Sequence, residues 1–382
     1  MATSLIREAI KHSRDVRVER ECKVGDARIA VIGTGGAGNN TVDRLMHLGV
    51  VGAECIAINT DKQHLERVSA HKKLLIGRKI TGGRGAGGFP HIGEAAAEES
   101  KDEIAQLLKG IDLVFIAAGM GGGTGTGSAP VIAEIAKKMG AMVVGVVTMP
   151  FEMEKGRKQK AFDGLKKLRY FADTVVVIDN NRLLSLVPNL PIDEAFSVAD
   201  EILANMVKGI TETISVPSLI NLDYADVQSV LRNGGVAMVG IGEGEGENRV
   251  EKAVKNALDS PLLDVDITGA SGALIHVTGG PDMTLTEATR AGELITEKMV
   301  DDALVIWGAR VDPNLTGIIR IILILTGVNS PQLLGPAEFE RTGLDILKPL
   351  PSDNSKPFPP LEEFTPIPRR SDEEDDLGIP RL

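Results

Sequence analysis

From residue 28 onward the chain alternates between two rhythms. Short, almost unbroken apolar runs at 28–32, 53–58, 73–76, 111–117, 141–148 and 174–178 have the length of strands buried on both faces. Between them apolar residues recur every three or four positions. That spacing predicts helices from the turn after residue 32 to about 48, and over 91–108, 124–139 and 155–171. The order predicts a doubly wound, Rossmann-like parallel sheet, whose ligands bind in the loops after the carboxyl ends of the strands. The helical period holds longest over 192–214, where Ala195, Phe196, Ala199, Ile202, Leu203 and Met206 form one broad stripe, as expected of a central helix between two domains. A helix at 223–231, a strand at 236–241, a helix at 248–258, a strand at 273–277, a helix at 285–299 and strands at 303–307 and 318–325 predict a second, smaller α/β domain.

The two ends read differently. Leu5, Ile6, Ala9 and Ile10 follow helical spacing, so 1–25 is expected to be a helical extension packed on the body. Ten of the 19 prolines fall in 329–382, with six Lys/Arg against eleven Asp/Glu. This composition predicts a disordered linker over 329–371. An acid run at 372–376 follows, within a terminal peptide, 372–382, that is apolar at its tip. The folded body divides into 26–191, the helix 192–214, and 215–328.

Composition narrows what such a body does. Hydrophobic residues make up 43% of the chain but aromatics only 3%, so the core is to be built from Val, Ile, Leu and Ala. A net charge of −11 and a pI of about 5.2 argue against a general nucleic-acid binder, which needs a basic face to displace counterions. Cys22 and Cys55 form no metal motif and point to a reducing compartment. No run approaches the roughly 20 apolar residues that span a bilayer. The longest, 318–328, is broken by Arg320. A soluble, cytoplasmic protein is expected, with no direct insertion into a membrane.

Three glycine clusters carry the chemistry. Gly33-Thr34-Gly35-Gly36-Ala37-Gly38-Asn39-Asn40 follows a strand and opens a helix, where backbone N–H groups and the helix N-terminus favour an anion. It also matches GxGxxG, so a dinucleotide such as NAD stays open, with Asp61 as its ribose partner. Gly82-Gly83-Arg84-Gly85-Ala86-Gly87-Gly88 precedes Pro90 and a helix, and Arg84 could reach a phosphate. The third cluster decides between ligands. GGGTGTG at 121–127 puts five glycines in seven residues after a strand, with hydroxyls at Thr124, Thr126 and Ser128. It holds no lysine, and GxxxxGK[ST] occurs nowhere, which excludes ordinary P-loop chemistry. Asn221, Asp223 and Asp226 stand at a helix start, where Asp223 reads as an N-cap and Asp226 as a capping-box acid.

GGAGNN at 35–40, Asn59-Thr60-Asp61, GAGG at 85–88, GGGTGTG and Asn221-Leu222-Asp223-Tyr224-Ala225-Asp226, in that order, resemble FtsZ, the tubulin-related GTPase family of prokaryotic cell division. The resemblance covers about residues 27–328. The N-terminal extension and the GIPRL-like end are archaeal-type features. It implies a tubulin/FtsZ-like fold, a nucleotide domain with a smaller activating domain, GTP as substrate and GDP as product. It also implies Mg2+ with no direct side-chain ligand, head-to-tail self-assembly into a mid-cell ring, and a membrane-anchor protein docking on the peptide from Leu377 to Leu382. Gly35, Gly36, Ala37, Gly38 and Asn39, with Gly123, Thr124 and Gly125, would hold the phosphates. Glu154 would bind the ribose. Asn180 and Asp200 would read the guanine, with Phe196 stacked on it. Asn221, Asp223 and Asp226 would enter the pocket of the next subunit and orient the attacking water, so hydrolysis would require assembly. There are departures. The family commonly shows Glu-Gly-x-x-Arg where Glu154-Lys155-Gly156-Arg157-Lys158 stands, leaving Arg157 by identity or Lys158 by spacing. Phe89-Pro90 stands where Asn-Pro is common. An NAD-dependent oxidoreductase and a slowly hydrolysing scaffold paralogue are the rival readings.

Overall fold

The apolar runs fold as strands of one sheet. In the computed structural model, residues 27–181, 192–215, 220, 223–232, 235–259, 270–300 and 302–328 are described. The expected N-terminal helix, the linker and the terminal peptide lie outside them.

Strands β1 (Ile29–Thr34), β2 (Ala53–Asn59), β3 (Lys72–Leu75), β4 (Leu113–Gly119), β5 (Met142–Met149) and β6 (Thr174–Asp179) run parallel in the order β3-β2-β1-β4-β5-β6. β7 (Gly235–Glu245), β8 (Gly272–Gly279), β9 (Leu304–Val311) and β10 (Ile318–Thr326) extend the sheet as β7-β10-β8-β9. Only β10 is antiparallel to its neighbours. The two halves join where Thr174, Val175 and Val176 pair with Gly235, Val236 and Ala237. The smaller domain therefore continues the first domain's sheet.

The helices, in chain order, are α1 (Gly35–Leu48), α2 (Lys62–Arg67), α3 (Arg78–Thr81), α4 (Pro90–Glu99), α5 (Lys101–Leu107), α6 (Thr124–Lys138), α7 (Lys155–Phe171), α8 (Ile192–Ser215), α9 (Tyr224–Leu231), α10 (Arg249–Leu258) and α11 (Leu285–Thr296). Strand alternation splits the core into two layers. Ala30, Ile32, Val114 and Ile116 pack towards Ala129 and Ile132 of α6 and Leu165 of α7. Ile29, Val31, Leu113 and Phe115 pack towards Val42 and Leu45 of α1 and Leu203 and Val207 of α8. Each fully buried Val, Leu, Ile or Phe among them contributes about 1.5–3 kcal/mol, which is how a chain poor in aromatics holds so long a sheet.

α8 spans both halves. Arg44 of α1 pairs with Glu201 at 2.6 Å, and Lys208 donates to the Leu48 carbonyl at 2.7 Å. Further along, Gly209 has no side chain to keep α8 off Ile322 of β10.

Two expectations are corrected. The helix expected over 91–108 is two helices, α4 and α5, broken at Ser100, whose backbone leaves the helical region (φ −102°, ψ 18°). Ser100 Oγ accepts a hydrogen bond from Gly77 N at 3.2 Å, so a tertiary contact occupies the break. β7 runs to Glu245 rather than residue 241, because Ala237 to Glu245 all pair with β10.

Candidate functional site

The site grows from the carboxyl ends of β1, β4 and β5. α1 begins directly after β1 and α6 directly after the loop that leaves β4, and neither helix has a side-chain N-cap or an acid in its first turn. Two sets of orphan N–H groups and two positive helix ends are thus left for an anion. They converge: Gly35, at φ +72°, lies so close to the Gly125 backbone that a β-carbon there would stand 2.7 Å from Gly125 N. Gly123, the N-cap of α6, packs equally tightly on Ala86 and on the backbone N of Phe89, which brings the second glycine loop against the third.

The polar residues expected here divide into braces and open groups. Asn39 is fully buried. With its amide nitrogen towards Gly33 O (2.7 Å) and Ile58 O (3.2 Å), its oxygen accepts from Asn59 Nδ2 at 3.0 Å. Thr124 Oγ1 shares a 2.6 Å hydrogen bond with Thr60 Oγ1, and Thr34 Oγ1 shares one with Ser128 Oγ at 2.6 Å. Gly38 packs on the Ala117 carbonyl, and Ala37 is exposed with its methyl against Gly119. By contrast, a β-carbon at Gly36 or Gly122 would meet no protein atom within 4 Å. Gly36 sits in α1, where any residue is accommodated, and neither glycine has a positive φ. Open space of this kind leaves room for a ligand carried on backbone amides.

Around the rim, Glu154 takes Arg157 in a 2.6 Å ion pair and accepts from Phe151 N at 3.2 Å. Lys158 instead reaches Glu152, at 3.3 Å. Arg157 also packs its backbone and β-carbon on Gly121 of the third loop. Asn180 follows β6 directly, and its Oδ1 is buried without a partner among the described residues. Asp200 comes from α8, and burial pushes its carboxyl up to about 6, opposed by a hydrogen bond from the Asn40 side chain and by the Arg44 charge. Asn40 was not among the expected site residues; the paired asparagines 39 and 40 were the available signal, one turned inward and the other towards Asp200. Phe196 falls on α8, but its side chain lies outside the described residues, as does Asn221. Arg84 is exposed, and a bridge pairs its backbone with Asp61. Asp61, the ribose partner of a dinucleotide reading, instead caps α2, its Oδ1 accepting from His64 N at 3.1 Å.

Asp223 and Asp226 stand elsewhere. They form the capping box of α9: Asp226 N donates to Asp223 Oδ1 at 2.7 Å and Asp223 N to Asp226 Oδ2 at 3.2 Å. The adjacent Tyr224 donates its hydroxyl to Asp112 O at 2.8 Å. Asp112 immediately precedes β4, at the end opposite to the glycine loop. Among the described residues no cluster of three or more His, Cys, Asp or Glu could hold a metal ion. Nor is any described helix long and apolar enough to cross a membrane.

Known proteins share this arrangement. Residues 28–188 match the family model of the Tubulin/FtsZ GTPase domain, and 235–329 that of the FtsZ C-terminal domain. The cell division protein FtsZ 2 of Methanocaldococcus jannaschii is 58% identical over 87% of this chain and 88% of its own length. A structure of an FtsZ dimer from M. jannaschii, described as empty, has a TM-score of 0.76 at 52% identity, covering 84% of this chain and 91% of that one. A protofilament of CetZ2 from Haloferax volcanii with GTPγS bound has a TM-score of 0.70 at 25% identity, covering 82% and 97%. The chain belongs to the Tubulin/FtsZ family, and it is a cell-division GTPase of the FtsZ type.

Proposed function

We propose that this chain binds GTP on the loops at the carboxyl ends of its parallel strands and hydrolyses it only when a second copy closes the site. One observation carries this reading. Asp223 and Asp226 stand beside the start of β4 and the glycine loop leaves its end. Seven residues of parallel strand separate the two ends, about 20 Å at roughly 3.3 Å per residue. One molecule cannot bring its own carboxylates to its own nucleotide, whereas a copy stacked end on end can.

The exposed apolar residues support the same geometry. All nine large hydrophobic side chains exposed among the described residues lie near strand ends. Ile80, Phe89, Met153 and Leu285 follow carboxyl ends, while Val51, Met139, Tyr170, Val300 and Leu304 stand at amino ends. Two unlike apolar ends make a heterologous contact, which propagates as a filament. The relatives' structures as a dimer and as a nucleotide-bound protofilament favour it too.

In this reading the amides around Gly35, Gly36, Ala37, Gly38 and Asn39, with those of Gly123, Thr124 and Gly125, hold the phosphates. Glu154 meets the ribose, and Arg157 rather than Lys158 faces the nucleotide, because it packs on the phosphate loop. The free Asn180 Oδ1 and the Asp200 carboxylate accept from the guanine edge, beside Phe196. Asn221, Asp223 and Asp226 of the neighbour orient the attacking water, since positioning supplies most of phosphoryl-transfer catalysis. Mg2+, for which no side-chain ligand is assigned, would neutralise charge on the phosphates. The protein works in the cytoplasm at the division site, and Leu377 to Leu382 dock a membrane-anchor partner. Deleting those six residues is expected to abolish that docking. The decisive experiment measures GTP turnover per molecule across a dilution series. A rise with protein concentration is expected, and a constant value at all concentrations sinks the shared-site reading.

A further inference from the structure

Phe89 occupies a position that local physics argues against. It is the N-cap of α4, where Asn, Asp, Ser or Thr would satisfy an orphan N–H, and its side chain makes no cap bond. It is also 51% exposed, so the fold gains little by burying it. Neither helix capping nor the core of this chain accounts for an aromatic ring there.

The ring is nevertheless held in place. Lys160 of α7 stands 5.4 Å from its centroid and donates to Gly88 O at 2.9 Å. The His91 ring lies at 5.7 Å, inclined by 53°. Phe89 N donates to Ala86 O at 3.0 Å, and both residues press on Gly123, the cap of the phosphate-loop helix. The result is a half-exposed aromatic side chain held in place beside the glycine loops. Oriented aromatics of this kind contribute large contact area at low entropy cost and dominate interface energetics.

We propose that Phe89 is an anchor of the head-to-tail contact, its ring seated on the adjoining copy of this chain while its backbone braces the phosphate loop. The occupant is a second copy because the residue shares its end of the sheet with the nucleotide loops, which is the end that the shared-site reading places against the next subunit; the proposal rests on that reading. Through Ala86 and Gly123, closing the contact also steadies the amides beneath the phosphates.

Phe89→Asn tests this in a way that a merely structural role cannot imitate, since it supplies the missing cap while removing the anchor. Phe89→Ala removes the anchor and adds no cap. Both full-length variants are measured for thermal unfolding, for affinity towards a fluorescent GDP analogue at high dilution, and for the concentration at which GTP turnover sets in. Phe89→Asn is expected to unfold no earlier than the parent, and both variants to bind the analogue as the parent does. Onset of turnover is expected to move to at least about tenfold higher concentration in both. Unchanged onset beside a concentration-dependent parent overturns the anchor and leaves the shared site standing. Weakened binding at high dilution also overturns it, because the ring would then belong to the nucleotide pocket. A parent whose turnover per molecule never varies removes the shared-site reading and the anchor with it.

Discussion

Two glycine-rich stretches of this molecule look alike in sequence and are opposites in structure. Along β7, Gly240, Gly242 and Gly244 alternate on the face that α10 covers. A β-carbon at each would collide with a carbonyl of that helix, those of Ala257, Ala253 and Arg249 in turn. The helix rests on bare strand backbone, and the fold demands those glycines. In the first and third glycine clusters, Gly36 and Gly122 would offer a β-carbon only open space. Nothing in the protein's own packing demands glycine there, whereas the proposed phosphate binding would. Glycine in a loop is evidence of a ligand only after the protein's own packing has been set aside.

The sharpest way to break the comparison is Gly242→Val. The branched side chain would have to displace the backbone of α10 at Ala253, a change expected to cost more than about 3 kcal/mol. Urea unfolding reads it directly, and a parent-like midpoint would mean that the close approach carries no energy. Next in size is Asp226→Ala, which belongs to neither glycine set but to the far end of the sheet. Turnover is expected to fall by at least about a hundredfold with GTP affinity unchanged, on the scale of a lost general catalyst. Stability should drop by only about 1 kcal/mol from the broken cap. Retained turnover would put the carboxylate outside the reaction.

The half beyond α8 also holds a buried titratable group. His276 is buried on β8, its Nε2 has no partner among the described residues, and burial, with the Arg310 charge, pushes its pKa down to about 4. Facing it are Thr278, 3.4 Å from its Nδ1, and Arg310, which pairs with Glu212 of α8. The unfolded chain binds this proton near 6.5 and the folded one only near 4. Stability is therefore full above about 6.5 and is lost as pH falls towards 4, by about 3 kcal/mol at most. Thermal unfolding of His276→Leu between pH 7 and 4 should show a shallower loss than the parent, and identical slopes would refute the assignment.

What could be read from the sequence was whatever local periodicity and local capping determine. The helix expected at 155–171 is α7, Lys155–Phe171, because its period is uninterrupted. The Asp223–Asp226 capping box forms as its spacing predicts, three residues being the distance between an N-cap and the N3 amide. What escaped was set by partners distant in sequence. Ser100 breaks a continuous helical pattern by meeting Gly77. Nothing in the apolar run of β10 says that it lies antiparallel between β7 and β8, or that three residue pairs of β6 and β7 fuse two domains' strands into one sheet. The glycine motifs predict a phosphate site. That Asn39 is a buried brace while Asn40 meets Asp200 depends on α8, which comes 150 residues later.

The smallest change sharpens the comparison most. Gly36→Ala adds one methyl group to a helical residue that touches nothing, so the fold should gain about 0.5–1 kcal/mol, mainly because alanine loses less conformational freedom than glycine. If the nucleotide lies in the open space beside Gly36, that methyl would intrude on it. GTP affinity is therefore expected to fall at least about tenfold, which is about 1.4 kcal/mol, while the melting temperature rises. Stability and binding moving in opposite directions on one substitution is the signature of a glycine kept for a ligand. At Gly242, where the fold itself needs the missing side chain, they must fall together. If Gly36→Ala leaves affinity untouched, the open space above that residue is ordinary solvent, and the phosphates rest on the amides around Gly35 and Gly125 alone.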